Sequence, residues 1–468
     1  MQLWLFIIGT VGISFVLAAL LGWLLWKPVI NVWVDSFLKR LLEDPYPENI
    51  TEMYNVFRKV GVQNVLEADI RGATGQPLQR PFGTANHYSK WEQLLLNPVY
   101  FSRKPIVESI EIKTQVTIGP RAKRPLIIDM PVMIAGMSWG TALSSKAVLA
   151  LAKGADKAKT AMNSGVSECF PDVRKHTRKL IIQYPCSEWG AEEKWLRQAD
   201  AIEIQLGYGA LASVPLVENP RKIDRQFRDD APVCLNLRND ESLALNGPVF
   251  HLGQKFELPR IIHYLRELTG GIPIGVKIGA THHLEEELEA ITNADIDFLT
   301  IDGKEAGIHY GPGILEDDVG LPTLPALCRA AAFLQNKKMK SGISLIVSGG
   351  LFTPGQFLKA LALGANAVYI GTIALVALAH NQIVKVLPWE PLSQLLYEKG
   401  GAKEKLCTEQ GAHNLANFLK SCNEEIILAM RSLGKTSLTQ LTIEDLCAIT
   451  PEIAQITGAD LAFSKPRP

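Results

Sequence analysis

Two apolar runs in the C-terminal third end in the same way: LIVSGG (345–350) and, after a helical segment, AVYIGT (367–372) each stop at glycines or a small hydroxyl residue. That is the shape of two successive parallel strands meeting a bound phosphate, since backbone N–H groups approach an anion closely only where no side chain intervenes. In (β/α)8 barrels the loops after strands 7 and 8 frequently hold such a phosphate. Six further runs precede these two: PVMIAG (131–136), KTAMNS (159–164), LIIQYP (180–185), IEIQLG (202–207), PIGVKIG (273–279) and DFLTIDG (297–303). Their near-continuous apolar character indicates burial on both faces, as a parallel sheet under helices requires. Helical patterns fill the connections at 144–153, 261–268, 284–291 and 354–363. The repeated βα order predicts an α/β protein, a (β/α)8 TIM barrel.

A barrel takes ~250 residues, so a chain of 468 has room for additions at both ends. We expect a transmembrane helix at 3–26, a helical or irregular extension at 27–105, the barrel at 106–385 and a C-terminal helical extension at 386–468. SIEIKTQVTIG (109–119) alternates like a strand or hairpin closing the barrel bottom. The long insertion between residues 207 and 272 reads either as a cover over the site or as a structural excursion. Lys+Arg and Asp+Glu both number 48, so there is no electrostatic footprint for nucleic acid. Seven cysteines are scattered without a C-x-x-C pair, which argues against a sequence-local zinc or iron–sulfur site. We read them as free thiols in a reducing compartment and expect no metal.

Residues 3–26 carry no charge, and at ~1.5 Å per residue they are long enough to cross a ~30 Å hydrocarbon core. Trp4, Trp23 and Trp26 stand at the two ends, where amphipathic rings prefer the interface. A cleaved signal peptide and a buried core helix are the competing accounts; against the first, no Lys or Arg precedes the apolar run. Lys27, Lys39 and Arg40 lie on its C-terminal flank, which by the positive-inside tendency makes this a single-pass membrane protein with its body cytoplasmic. An amphipathic helix is expected at 35–44, before the DPYPENI break (44–50).

Lys277 sits inside an apolar strand, where an ammonium is costly unless it points at a partner. It either faces a flavin, stabilising negative charge on the reduced ring, or pairs with Asp302 or Glu203 on neighbouring strands. The first strand ends AGMSWG (135–140), whose small residues let backbone lie against a planar ring; the alternative is an ordinary turn with Ser144 capping the next helix. Asn163, Ser164 and Glu168 follow the second strand, Gln183 and Glu188 bracket the third strand's end, and Gln205 lies late in the fourth. All belong to one rim, as ligand contacts or as loop organisers. His309 and Tyr310, in the glycine-containing DGKEAGIHYGPG (302–313), are the first choice for acid–base work, and His282 and His283 the second.

Five strings in order, AGMSWG, QADAIEIQLGYGA (198–210), IPIGVKIG (272–279), DFLTIDGKEAG (297–307) and SGGLFTPGQFLKALALGANAVYIGT (348–372), resemble the FMN-binding domain of glutamate synthase and its stand-alone relatives. The resemblance runs over about residues 131–379 and implies FMN as cofactor. By carry-over, Ala135, Gly136, Met137, Ser138 and Lys277 contact the isoalloxazine, while Ser348, Gly349, Gly350, Gly371 and Thr372 hold the FMN phosphate. Asn163, Gln183 and Gln205 are counted with the cofactor-binding set.

Departures from the family pattern are equally informative. A membrane segment stands where glutamate synthases carry a cysteine glutaminase domain, so we expect no release of ammonia from glutamine. HNQIVKVLPWEP (380–391) lacks the cysteine triplet that would follow the eighth strand, so no iron–sulfur cluster is expected and electrons come from a donor the sequence does not name. IQYPCSEWG (182–190) has Glu188 where the family has arginine, Gln205 replaces a lysine, and Gly307-Ile308-His309-Tyr310 replaces G-T-G-A. A doubly anionic keto acid needs cationic clamps, which makes 2-oxoglutarate a poor fit.

The leading expectation is a membrane-anchored FMN-dependent oxidoreductase that passes hydride at flavin N5 to or from an unidentified small-molecule substrate, with Lys277, His309 and Tyr310 as its catalytic residues. Beside it stand a glutamate synthase using free ammonium and 2-oxoglutarate, and a non-enzymatic barrel that binds a phosphorylated ligand or scaffolds membrane partners.

Overall fold

The computed structural model describes residues 2–101, 103–165, 171–185, 192–207, 209, 217–218, 243–244, 250–251, 254–255, 257–307 and 311–464. The chain divides after Leu78 into two units.

In the first unit a single helix, Gln2–Glu43, runs through Pro28. The apolar segment and the amphipathic helix expected at 35–44 are therefore one element. Proline within a helix removes one backbone hydrogen bond, and no glycine or second proline follows before Pro45. Asn49 closes the helix, its Nδ2 donating to the carbonyls of Leu41 at 2.9 Å and Asp44 at 3.2 Å, which are acceptors a helix C-terminus leaves open. Two shorter helices follow, Glu52–Val60 and Val62–Thr74.

The second unit is built on a closed barrel of eight parallel strands. They are β1 (Val132–Ile134), β2 (Met162–Asn163), β3 (Leu180–Pro185), β4 (Ala201–Gln205), β5 (Ile274–Gly279), β6 (Phe298–Asp302), β7 (Ser344–Ser348) and β8 (Ala367–Ile370). Each apolar run holds one of them, and closure comes from β8 on β1, with Val368 opposite Val132. The connecting helices include Ser145–Lys157, whose first turn is capped by the Ser144 hydroxyl, and Pro354–Ala362, opened by a reciprocal Thr353/Gln356 capping box. Of the long insertion after β4, two short antiparallel pairs and the helix Leu258–Thr269 are described.

Alternation along each strand divides the barrel interior into two storeys. In the lower one Met133, Ile181, Phe298 and Ile346 pack against Val116, Ile118 and Ile128 of an antiparallel hairpin that closes the strands' N-terminal end. A Cβ on Gly275 would lie 2.3 Å from the Phe298 ring, so that glycine is the space the ring occupies. In the upper storey the inward positions turn polar: Asn163, Gln183, Glu203, Gln205, Lys277, Thr300, Asp302 and Ser348 are all buried.

Segments flanking the barrel in sequence pack on it. The helix Thr408–Ser432 lies so close to Ser145–Lys157 that a Cβ on Gly154 would meet Leu415 Cδ2 at 2.8 Å. The strand Leu446–Ala448 pairs antiparallel with Leu94–Leu96, joining the two ends of this unit. Among the described cysteines, Cys328, Cys407, Cys422 and Cys447 are free thiols.

Candidate active site at the barrel mouth

A cavity of about 470 Å3 opens at the C-terminal ends of the strands, within the range of small-molecule sites. It gathers Ala135, Gly136, Met137 and Ser138 from the end of β1, Lys277 from β5 and Asp302 from β6. Ser348, Gly349 and Gly350 after β7, and Gly371 and Thr372 after β8, complete that side. Gly349 and Gly350 have φ of 116° and 62°, and a Cβ on Gly349 would meet Thr323 Oγ1 at 2.6 Å and Ala306 N at 2.7 Å. Their glycine identity is thus required by the fold itself. Gly371 differs, because a Cβ there would meet no protein atom within 4 Å. It is the N-cap of the helix Thr372–Ala379, whose N-terminus has no side-chain cap. Open space, a missing side chain and uncapped helix N–H groups form an anion cradle, and the residues fit a phosphorylated cofactor.

Beneath the cavity the charged residues form one buried network. Lys277 Nζ lies 3.1 Å from Asp302 Oδ2, with both side chains almost wholly enclosed, and 5.9 Å from the centroid of the Tyr369 ring. Of the two sequence alternatives for Lys277, the ion pair with Asp302 is present, and the side chain also lines the cavity. Glu203 Oε1 accepts from Asn163 Nδ2 at 2.7 Å and Gln183 Nε2 at 3.1 Å, while Oε2 accepts from Thr300 Oγ1 at 2.7 Å. Asn163 is fixed twice more: its Nδ2 lies 3.3 Å from the Tyr369 hydroxyl and its Oδ1 accepts from Gly165 N at 2.9 Å. Burial pushes the Asp302 carboxyl above its ordinary range; Lys277 opposes the shift and Glu203 adds to it. Burial, reinforced by Glu203, likewise raises the Tyr369 phenol well above its usual value.

The far wall of the cavity includes Phe82, Thr84, Asn86, His87 and Trp91, with Tyr397 from near the C-terminus. Asp317 holds this stretch against the loop after β6. Its carboxylate takes Arg80 Nη1 at 2.7 Å and Thr84 Oγ1 at 2.6 Å, and its carbonyl accepts from the Tyr88 hydroxyl at 2.7 Å. Burial alone would raise the Asp317 carboxyl, but Thr84 and Arg80 together bring it below the ordinary range. Glu305 performs the same task a turn away, accepting from Ser89 and from Thr323 N and Oγ1. Beside them Glu316 is fully buried with neither carboxylate oxygen hydrogen-bonded, and burial pushes it up to about 8.

Not every residue singled out in the sequence lies at the cavity. Asn163 and Gln183 are not part of the cavity lining and instead donate to Glu203. Gln205 is 3% exposed, sits opposite Lys277 in strand register, and among the described residues neither of its amide atoms has a hydrogen-bond partner. His282 and His283 are exposed, just ahead of the helix Leu284–Thr292. His309 and Tyr310, with Glu168 and Glu188, lie outside the described residues. The sequence reading missed Glu203 as a hub and Tyr369 as part of the cavity. The signal was there: each stands two positions before a residue that was named, Gln205 and Gly371, and so on the same strand face. No local pattern announced residues 81–91, whose partners lie more than two hundred positions away.

Comparison with known proteins agrees with this architecture. Residues 79–436, beginning where the second unit begins, match the family described as "Conserved region in glutamate synthase". The chain is 33% identical over 422 residues to the "Glutamate synthase large subunit-like protein" of Rhizobium meliloti (strain 1021), covering 84% of this chain and 90% of that one. It is 29% identical over 337 residues to the "Archaeal glutamate synthase [NADPH]" of Methanocaldococcus jannaschii, covering 72% of this chain but only 64% of the archaeal protein. Two solved structures share its fold at 14% identity. One is a mutant flavocytochrome b2 with pyruvate bound (TM-score 0.50, 92% of each chain covered). The other is a mutant of the active chimera of (S)-mandelate dehydrogenase (TM-score 0.51, 81% of this chain and 94% of that one). By the family match, the relative from Rhizobium and the barrel that carries both, this chain belongs to the glutamate synthase family.

Proposed function

We propose that the protein is an FMN-dependent oxidoreductase, acting on a small-molecule substrate and anchored to the membrane by its first helix. The observation that carries the cofactor assignment is Gly371, a glycine that neither packing nor a left-handed backbone demands, at an uncapped helix N-terminus. When bound there, FMN supplies hydride exchange at its ring. Gly349, Gly350 and the helix Thr372–Ala379 hold the phosphate, and residues 135–138 leave flat backbone beside the ring. Lys277 presents a positive charge to it from the cavity floor. The relatives' names favour the same class of chemistry.

Membrane anchoring rests on the helix Gln2–Glu43. From Thr10 on it is long and apolar enough to cross a bilayer, with Phe15 77% and Trp23 72% exposed within the unit. Retention of the full chain in the membrane fraction after alkaline extraction is the expected result, and release into the supernatant would remove the anchor.

The cofactor is tested by purifying the full chain in detergent, adding FMN and recording its visible spectrum. A bound flavin that dithionite bleaches and oxygen restores is expected; a colourless protein would leave only a non-enzymatic barrel. Glutamate synthesis from free ammonium and 2-oxoglutarate is the second reading, favoured by the name of the archaeal relative. It requires 2-oxoglutarate and ammonium together to reoxidise the bleached protein in the absence of oxygen, with glutamate and water as products.

A further inference from the structure

Among the described residues, the upper storey of the barrel buries two carboxyl groups and one ammonium, Glu203, Asp302 and Lys277, each no more than 4% exposed. Three ionised groups there would leave an uncompensated negative charge out of reach of water, a costly arrangement. The carboxyl groups are not equally provided for. Glu203 has both oxygens engaged, by Asn163, Gln183 and Thr300. Asp302 has Lys277 on Oδ2 and, among the described residues, no hydrogen-bond partner on Oδ1. Asp302 also lines the cavity, and Glu203 is absent from its walls.

We infer that Asp302 is the proton-exchanging residue of the site: it takes one proton from solvent when negative charge develops beside Lys277, and releases it when that charge leaves. The inference rests on the FMN reading above. Lys277 can support one carboxylate, but an anion in the cavity competes for the same ammonium. The least solvated negative partner then gains most by becoming an acid, and Oδ1 is free to carry the hydrogen. Of the other groups facing Asp302, Glu203 on β4 disfavours its ionisation, Tyr369 on β8 is held as the phenol, and Ser348 on β7, like Lys277, favours the carboxylate without cancelling the effect of burial. For each pair of electrons delivered by dithionite, itself oxidised to sulfite, one proton goes to the ring and a second to Asp302. With oxygen as the oxidant, both protons leave in the hydrogen peroxide formed.

The test is the pH dependence of the midpoint potential of the FMN-loaded full chain against that of Asp302→Asn. The wild type is expected to be steeper by about 30 mV per pH unit over part of the neutral range, the increment of one proton per two electrons. Because the variant may not fold, the wild type alone supplies a second readout. Its reduced-minus-oxidised infrared spectrum should gain a carboxylic-acid C=O band that shifts when aspartate is labelled with heavy carbon at its side-chain carboxyl. Equal slopes, or a spectrum without such a band, would overturn the inference while leaving the FMN reading intact. A wild type that binds no FMN would overturn both.

Discussion

At the ends of β7 and β8 the protein presents almost nothing but backbone, whereas on β4, β5 and β6 it buries Glu203, Lys277 and Asp302 within the same barrel. The two regions prepare for charge by different means. On the glycine side, N–H dipoles are fixed by the fold, no side chain is desolvated, and an anion is the missing partner. On the charged side the protein has already removed ionised groups from water and depends on their mutual satisfaction. A change on the charged side should therefore disturb the fold before it disturbs binding, and a change at Gly371 should do the reverse.

Glu203→Leu tests the first half of that contrast most severely. It leaves the Asn163, Gln183 and Thr300 donors buried without their acceptor, a loss on the order of 5 kcal/mol by summing such orphaned groups. Chemical denaturation of the full chain in detergent measures it, and a near-neutral result would mean that the hub is not structural. Lys277→Met should destabilise by about 3–5 kcal/mol because it strands Asp302. Adding Asp302→Leu should restore most of that stability without restoring flavin chemistry. If the double variant is as unstable as the single one, the burden is not the unpaired carboxylate.

Gly371→Ala is the counterpart on the glycine side. With no atom within 4 Å of the added methyl group, stability should stay within about 0.5 kcal/mol. FMN affinity should fall at least tenfold, about 1.4 kcal/mol, read by quenching of flavin fluorescence. Unchanged affinity would mean that the phosphate does not lie there.

The last test concerns Glu316, in neither region, whose effect is spread over a range of pH. Its carboxyl is raised from 4.5 to about 8 in the fold, so between those values the folded chain holds a proton that the unfolded chain has lost. Stability should then decline as pH rises through that window, at a slope of about 1 kcal/mol per pH unit. Glu316→Gln should flatten that part of the stability profile.

The eight strands were legible because burial on both faces leaves runs such as LIIQYP and DFLTIDG that no amphipathic element produces. The glycines at the ends of β7 and β8 were legible as the rim of a site, and all of them line the cavity, although packing and a positive φ already require Gly349 and Gly350. Lys277 stood out as an ammonium inside an apolar run; the ion pair with Asp302 at 3.1 Å is one of its two readings, and the side chain also reaches the cavity. Glu203 was less visible because its importance lies in what converges on it from β2, β3 and β6, and strand spacing in sequence carries no trace of that convergence.

Periodicity, the uncharged opening stretch and glycine placement already specified a parallel barrel, an apolar first helix and an anion cradle, because each of these is a property of a few consecutive residues and their own backbone. Which polar side chains meet, which carboxyl is left with an idle oxygen, and that residues 81–91 wall the cavity depended on closure of the barrel and on contacts across more than two hundred positions. Burial and hydrogen bonding act between elements, and their partners are chosen only when the strands have taken their register.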